Sequence, residues 1–159
     1  LDFGCGYGRH FNLLKDSTQS HKIYGYDPYS DLFEVNRNYF NLYNSHEDFN
    51  LEEKFNLIFV HLVIGGLNDN DLIDELNFID SILDDNGYIF IVEACSFSKE
   101  RLYSSWKIRN PETYFNILKN ITWRIEDTIS ESGDELYIMI GKKDKENEYN
   151  KITKFLKYF

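Results

Sequence analysis

The chain has 159 residues, with 27 acidic and 17 basic side chains and a formal net charge of −10. This acidity argues against a nucleic-acid binder, which needs a basic surface to displace counterions from phosphates, and against binding to an anionic membrane surface. Hydrophobic residues make up 42% of the chain, which excludes a disordered polymer and predicts a single domain with its own core.

The first half of the chain predicts alternating strands and helices. Residues 1–3 have the pattern of a strand end, the glycines within residues 4–8 predict a turn, and a second strand ends at Asp27. The elements predicted here are strands over residues 1–3, 21–26 and part of 43–49, and helices over residues 9–15 and 31–43.

The second half predicts buried strands and an antiparallel ending. Residues 55–62 form a continuous apolar run, as in a parallel strand buried on both faces. The further predictions are helices over residues 68–83 and 111–118, a turn at 84–87, a strand over 88–94, and a hairpin of strands 121–130 and 135–143.

This alternation predicts an α/β, Rossmann-like, doubly wound and mostly parallel sheet that ends in an antiparallel hairpin. We expect one domain over residues 1–143 and a charged, then amphipathic, helical tail over residues 144–159. Because the sequence begins with Leu1 inside a predicted strand, we also expect that an N-terminal part is missing.

Cys5 and Cys95 are too few and too far apart for a disulfide framework or a zinc site, so we expect structural thiols and no metal. No apolar run reaches the roughly 20 residues of a membrane-spanning helix. Neither is there a signal-peptide pattern, and the expected location is the cytoplasm.

The stretch DFGCGYG at residues 2–8 predicts a turn that lies against a nucleotide. Glycines let the backbone approach a ligand, and ligands of doubly wound sheets bind beyond the carboxyl ends of the strands. The dinucleotide fingerprint G-x-G-x-x-G requires a small residue where this chain has Arg9, and the third glycine falls one residue early, at Gly8. The spacing therefore disagrees with a dinucleotide site.

The order D-x-G-x-G-x-G, from Asp2 to Gly8, instead resembles the class I S-adenosylmethionine-dependent methyltransferases. Asp27 follows at the distance of the acid that holds ribose hydroxyls. The segments SHEDFNLEEKFNLIFV and SILDDNGYIFIVE are similar to this family's adenine loop with its fourth strand and to its fifth strand. The resemblance extends to about residue 143 and implies S-adenosylmethionine as cofactor and S-adenosylhomocysteine as product.

The resemblance also implies cofactor contacts, residue by residue. The glycine-turn backbone would pass beneath the methionine part of the cofactor, at Gly4, Cys5, Gly6 and Gly8, with Asp2 orienting this loop and His61 close to the methionine part. Asp27 would hold the ribose, with Pro28 beside the adenine. Glu47 or Asp48 would accept from the adenine amino group, and Phe49 would stack nearby. Two alternatives stay open: Asp27 as a turn residue, and the acidic pair Glu47–Asp48 as a solvated face.

The methyl acceptor leaves weaker traces. The Asn/Asp-Pro-Pro-aromatic motif of base-amino methyltransferases is missing from VHLVIGG at residues 60–66, which, with the acidic charge, argues against nucleic acid as substrate. HLVIGGLNDNDLIDEL and SSWKIRNPETYFNIL partly resemble the protein N-terminal α-amino methyltransferases, but Gly66 and Ala94 stand where that family has functional residues.

Four residues are the candidates around the acceptor. His61 is either a general base or a ring packed on the cofactor, and Glu93 either takes a proton, or binds a cationic amine, or only completes hydrogen bonds. Trp106 and Arg109 are expected to line the acceptor pocket, Arg109 pairing with a carboxylate or phosphate or else making a surface salt bridge. His10 and His46 are expected to face solvent.

The sequence thus predicts a methyltransferase acting on oxygen or nitrogen of a small metabolite, with a small-molecule acceptor and neither nucleic acid nor membrane as partner. Two alternatives remain: methylation of peptide or protein N-terminal amines, and a catalytically silent methyltransferase-like subunit. The oligomeric state is left open.

Overall fold

The computed structural model describes residues 1–18, 22–29, 38–131 and 134–143. The predicted tail over residues 144–159 lies outside this part of the chain, so it and the domain boundary at residue 143 stay predictions. Within the described residues the strands are β1 (Asp2–Phe3), β2 (Tyr24–Tyr26), β3 (Asn41–Tyr43), β4 (Phe55–His61), β5 (Leu83–Ala94), β6 (Arg101–Tyr103), β7 (Trp106–Ile108), β8 (Ile121–Glu131) and β9 (Asp134–Lys143), and the α-helices are α1 (Phe11–Thr18), α2 (Asp69–Ile82) and α3 (Pro111–Ile117).

Seven strands form one sheet in the order β3-β2-β1-β4-β5-β9-β8. The first five are parallel, while β9 pairs antiparallel with both β5 and β8. The fold prediction, a mostly parallel doubly wound sheet with an antiparallel ending, is confirmed. The order reverses between β1 and β4, and this is the switch point where ligands of such sheets bind.

Both faces of the sheet are covered, which explains why the central strands are apolar throughout. On one face, α2 and α3 pack a large core against β4 and β5, with Ile58, Ile91 and Leu76 fully buried. On the other face, Leu14 of α1 packs with Phe59 and Val92 in a smaller core. The two cores fix the strand ends, and therefore the site, between two layers of helices.

Capping residues in the sequence determine where α2 and α3 begin. The side chain of Asn68 accepts from the backbone N–H groups of Asn70 and Asp71, which caps α2. Asn110 caps α3 in the same way through the N–H of Glu112, and Pro111 occupies the first turn, where no backbone donor is needed. Both predicted helices are confirmed to within a residue at the start.

The helix predicted over residues 31–43 is wrong in the part that the structure describes, because residues 38–40 form a turn and β3 follows. Strand pairing of Asn41–Tyr43 with β2 outweighed the helical spacing of the aromatic residues. Residues 30–37, the rest of that prediction, lie outside the described residues.

The turn predicted at residues 84–87 lies within β5 instead of preceding it. Phe55 pairs with Leu83 and Leu57 with Tyr88, so four residues stand opposite a single residue of β4. The Asp84 carboxylate accepts from the N–H of Asn86 at 3.0 Å, which is ordinary turn chemistry. The local interpretation was correct, but the strand continues on both sides of it.

The antiparallel pair β6–β7, which forms a separate two-stranded sheet, was not predicted. Its strands have three residues each and carry no alternating pattern long enough to predict. Ser104, in the turn between them, has a φ of 56°. This hairpin brings Trp106 to the carboxyl end of the main sheet.

Cys5 and Cys95 are both free and buried, as expected of structural thiols. Burial raises the pKa of Cys5 to about 12, so this thiol stays protonated and unreactive near neutral pH. Within the described part of the chain, no group of three or more His, Cys, Asp or Glu side chains is arranged to hold a metal ion. No helix there is long and apolar enough to cross a membrane.

Candidate functional site

The glycine turn at residues 4–8 connects β1 to α1 at the switch point of the sheet. Gly4, Gly6 and Gly8 have φ values of 72°, 49° and 74°, which other residues adopt only at a cost. A Cβ on Gly4 would lie 2.3 Å from Cγ2 of Val63, so close packing also requires glycine there. Beside Gly6 no atom apart from its chain neighbours lies within 4 Å of the corresponding position, so there is space for a ligand next to this residue.

Asp27 lies directly after β2 and holds this turn. Its Oδ2 accepts from the N–H of Gly6 at 2.9 Å, and its Oδ1 accepts from the N–H of Tyr29 at 3.0 Å. The side chain is buried, with 7% of its surface exposed. A carboxylate has about four acceptor positions, and the described residues fill two of them, which leaves roughly two for a ligand. The contact with Gly6 was not expected from the sequence.

Asp2 contacts Tyr39, a residue of the smaller core. It is buried and accepts a 2.5 Å hydrogen bond from the hydroxyl of Tyr39. Burial raises the pKa of Asp2, and the hydrogen bond from Tyr39 lowers it in part. Its hydrogen bond connects β1 to the segment before β3. A contact of Asp2 with the amino group of the cofactor stays a prediction.

The predicted adenine residues lie in a short 3-10 helix, His46–Asp48, after β3. Asp48 accepts from the N–H groups of Asn44 and Ser45, both at 2.9 Å, which lowers its pKa and commits it to the loop. Glu47 is exposed. Asp48 is exposed too, and hydrogen bonds with its own backbone and with the Ser45 side chain lower the pKa of Glu47. Both carboxylates are therefore accessible, and the backbone contacts of Asp48 to Asn44 and Ser45 are what distinguish the two.

Phe49 and Pro28 differ in burial. The Phe49 ring lies in the large core, 4.1 Å from the ring of Tyr43 between centroids. Pro28 is exposed beside Asp27. Phe49 therefore supports the loop from beneath, and Pro28 is the more accessible of the two predicted neighbours of an adenine.

His61 is the last residue of β4, and its ring contacts Arg9 and His10, which directly precede α1. Nη2 of Arg9 lies 3.0 Å from Nδ1 of His61. Because a guanidinium has no acceptor, it must donate here, and the neutral His61 ring then carries its hydrogen on Nε2. This arrangement favours the packing role of His61 over the role of general base, although both stay predictions.

The two other histidines are only partly exposed, so the expectation that they face solvent was wrong. The ring of His10 lies 4.5 Å from that of His61, and burial together with Arg9 lowers the pKa of His10. The ring of His46 stacks on Phe78 at 3.7 Å and contacts Glu75 at 3.1 Å. Side chains of neighbouring elements cover both rings, and no local sequence pattern predicts such contacts.

Glu93, near the end of β5, is fully buried and surrounded by donors. Its Oε2 accepts from the N–H groups of Val63 at 3.2 Å and Gly65 at 3.0 Å. Its Oε1 accepts from the N–H of Ala94 at 3.0 Å and from Nε1 of Trp106 at 3.1 Å. Burial raises the pKa of Glu93, and these four hydrogen bonds oppose the rise. The contacts match the alternative in which Glu93 only completes hydrogen bonds.

Arg109 is also buried, with 1% of its surface exposed, so it does not lie on the surface as that alternative expected. It does form a salt bridge, to the exposed carboxylate of Asp69 at 3.0 Å. Its guanidinium donates to the carbonyls of Ile64 at 3.0 Å and Leu67 at 2.6 Å, and to Oδ1 of Asp69. A role in binding a substrate anion stays a prediction, but most of its donors already bind the protein. The signal that sequence reasoning missed is Asp69 at the start of α2, which also binds Lys107 at 2.8 Å.

Trp106 is half-buried above two glycines, Gly65 and Gly66, of the loop after β4. A Cβ on Gly65 would lie 2.1 Å from Nε1 of Trp106, and one on Gly66 would lie 3.2 Å from Cζ3. The indole therefore lies flat on this stretch of backbone. Of the two residues predicted to line the acceptor pocket, Trp106 is partly accessible and Arg109 is buried.

The fold and the glycine turn define a class of protein, and the comparisons with known proteins identify the same class. The sequence profile of a family described as "Methyltransferase domain" matches residues 1–127. Since this is more than half of the chain, the protein belongs to that family, the class I S-adenosylmethionine-dependent methyltransferases. No curated protein matches the sequence.

Several solved structures share the fold. A 1,6-didemethyltoxoflavin-N1-methyltransferase from Burkholderia thailandensis, solved with 1,6-didemethyltoxoflavin and S-adenosylhomocysteine, aligns with a TM-score of 0.73 at 15% identity over 91% of this chain and 70% of that one. Magnesium protoporphyrin IX methyltransferase from Synechocystis aligns with a TM-score of 0.69 at 13% identity, over 90% of this chain and 68% of that one.

A third structure, an S-adenosylmethionine-dependent methyltransferase from Archaeoglobus fulgidus, gives a TM-score of 0.66 at 20% identity over 89% of this chain and 84% of that one. At such identities these similarities establish the fold and do not identify the acceptor. The partial resemblance to the protein N-terminal methyltransferases is not shown by the comparisons.

Proposed function

We propose that the chain binds S-adenosylmethionine and transfers its methyl group to an oxygen or nitrogen atom of a small metabolite. The observation that carries the proposal is the glycine turn at the switch point, anchored by the hydrogen bond from Gly6 to Asp27. The turn offers open backbone, and the acid beside it retains acceptor capacity. Two solved proteins of this fold act on small molecules, according to their names, which supports the acceptor class.

The residues present fit the cofactor. A ribose offers two hydroxyl donors, which suits the roughly two acceptor positions left on Asp27. Exposed Glu47 suits the adenine amino group as an acceptor, while the side chain of Asp48 is engaged by backbone N–H groups. His61, at the end of β4, contacts Arg9 next to the turn, which supports a position close to the methionine part of the cofactor.

When bound, the cofactor would supply an activated methyl group on a sulfonium to a lone pair of the acceptor, with S-adenosylhomocysteine as the leaving group. This in-line displacement depends chiefly on holding the two reactants in line. The chain's contribution on the acceptor side is Trp106, fixed by its hydrogen bond to Glu93 and by the glycines beneath it. A flat, half-buried indole suits a ring-shaped or otherwise flat acceptor.

Calorimetric titration with S-adenosylhomocysteine tests the cofactor. Wild type should bind, Asp27→Ala should bind at least about 30-fold more weakly, and Asp27→Asn should fall between them, because loss of hydrogen bonds to a charged acceptor costs roughly 1.5–3 kcal/mol each. Asp74→Ala, at an exposed position of α2, is the matched control and should bind as wild type does.

The acceptor is tested with labelled S-adenosylmethionine and two pools, small aromatic metabolites and peptides with free N-termini. Label transfer to the metabolite pool supports the proposal, and transfer to peptides alone replaces its acceptor class. Binding without transfer to either pool favours the catalytically silent alternative. Failure of a folded wild type to bind S-adenosylhomocysteine would overturn the cofactor assignment.

A further inference from the structure

The loop after β4, residues 62–67, is held by two buried side chains of opposite charge. Its N–H groups at Val63 and Gly65 donate to Glu93, while its carbonyls at Ile64 and Leu67 accept from Arg109. We call these six residues the β4 loop. Both of its holding side chains are at most 1% exposed. The loop backbone is thus held in two ways: its N–H groups bind the Glu93 carboxylate, and its carbonyl groups bind the Arg109 guanidinium.

The β4 loop begins with a strained residue. Leu62 has a φ of 53°, a left-handed conformation that is strained for a residue with a Cβ. Such strain persists only where the surroundings over-determine the backbone, and here the surroundings are Glu93 and Arg109. Because the loop has one fixed arrangement, a displacement at one of its residues is passed to the next.

Two residues of the β4 loop face different parts of the site. Val63 packs on the glycine turn, where its methyl group would lie 2.3 Å from a Cβ on Gly4. Gly65 lies beneath Trp106. The N–H groups of Val63 and Gly65 both donate to the same atom, Oε2 of Glu93, while Oε1 of that carboxylate accepts from the indole. The Glu93 side chain therefore connects Val63, which packs on the glycine turn, to Trp106, which borders the proposed acceptor pocket.

We propose that the β4 loop couples the cofactor turn to Trp106, and that Glu93 is the positioning residue of this coupling. Occupation of the glycine turn shifts Val63, and the shared carboxylate carries the shift to the indole that borders the acceptor. The proposal rests on the proposed function, since it requires cofactor at the turn. It gives Glu93 a role through its contacts, and no proton moves to or from it in this role.

Tryptophan fluorescence tests the coupling. The chain has two tryptophans, so Trp123→Phe leaves Trp106 as the single reporter, and Trp123→Phe/Trp106→Phe is the blank. During titration of Trp123→Phe with S-adenosylhomocysteine, the emission of Trp106 should change and saturate with the same dissociation constant as the heat of binding. Saturable heat with unchanged emission would overturn the coupling and leave the proposed function intact.

Two further variants in the same background separate coupling from direct contact. Gly65→Ala displaces the indole and Glu93→Gln breaks the shared carboxylate, so each should shift the emission of the free protein and abolish the response to S-adenosylhomocysteine while heat is still released. Gly66→Ala, the neighbouring control, should keep the response, because its Cβ lies 3.2 Å from the ring edge and not 2.1 Å.

A response that survives unchanged in Gly65→Ala would mean that the ligand touches Trp106 directly, and it would overturn the proposal. Gly65→Ala also keeps the test decisive if Glu93→Gln fails to fold, since Gly65 is not among the positive-φ glycines. Absence of binding heat in wild type would instead overturn the proposed function, and the coupling with it.

Discussion

Two buried acids lie at the carboxyl ends of strands in the same sheet, Asp27 after β2 and Glu93 near the end of β5. From the residues that the structure describes, Asp27 accepts two hydrogen bonds and Glu93 accepts four. Since a carboxylate has about four acceptor positions, Asp27 can still bind a ligand, whereas Glu93 is saturated. The position of an acid at a strand end thus does not decide its role; the number of donors already around it does.

The largest effect is expected from Glu93→Ala. Removal of this carboxylate leaves up to four buried donors without a partner and should lower the free energy of unfolding by about 3 kcal/mol or more. Asp27→Ala frees only two backbone donors near solvent and should cost roughly 1–2 kcal/mol. Urea unfolding of both variants measures the difference, and equal losses would contradict the contrast between the two acids.

A second comparison concerns two glycines of the same turn. Gly4→Ala combines a positive φ with a clash against Val63 and should cost about 3 kcal/mol of stability or more. Gly6→Ala meets open space, so only the strain of roughly 1–2 kcal/mol remains. Thermal unfolding ranks the pair. If Gly6→Ala were the more destabilising, the close approach of Val63 to Gly4 would be refuted.

The pH dependence of stability gives a third test. Burial raises the folded-state pKa of Glu93 above 4.5, so its contribution is fully present below pH 4.5 and is lost as the pH rises through the folded pKa. Relative to Glu93→Gln, wild type should therefore lose stability as the pH rises from 4.5. Chemical unfolding from pH 4 to pH 8 measures this difference, and a constant difference would show that the four donors cancel the effect of burial.

The smallest effect is expected at the acidic loop after β3. Glu47→Gln should weaken binding of S-adenosylhomocysteine about fivefold, the size of one ordinary hydrogen bond. Asp48→Asn should act mainly on the loop, because the Asp48 carboxylate accepts from Asn44 and Ser45. Calorimetry of the two variants distinguishes these roles, and a larger loss of affinity for Asp48→Asn than for Glu47→Gln would reverse them.

The sequence by itself determined the fold class and the place of the cofactor turn. Continuous apolar runs predict β4 and β5, capping residues predict α2 and α3, and three glycines at alternate positions predict a tight turn, because each of these signals is local. The same signals failed where pairing with a distant strand decided the outcome, as at β3, and where strands were too short to show a pattern, as at β6 and β7.

Only the tertiary structure decided what the polar residues do. Whether Glu93, Arg109 and Asp48 face a ligand or the protein depends on the donors and acceptors that distant segments bring to them, and Arg9 acquired its contact with His61 in the same way. Sequence spacing carries little of this information. For Glu93 and Arg109, burial is the reason, because a buried charge without partners in the fold carries a large desolvation cost.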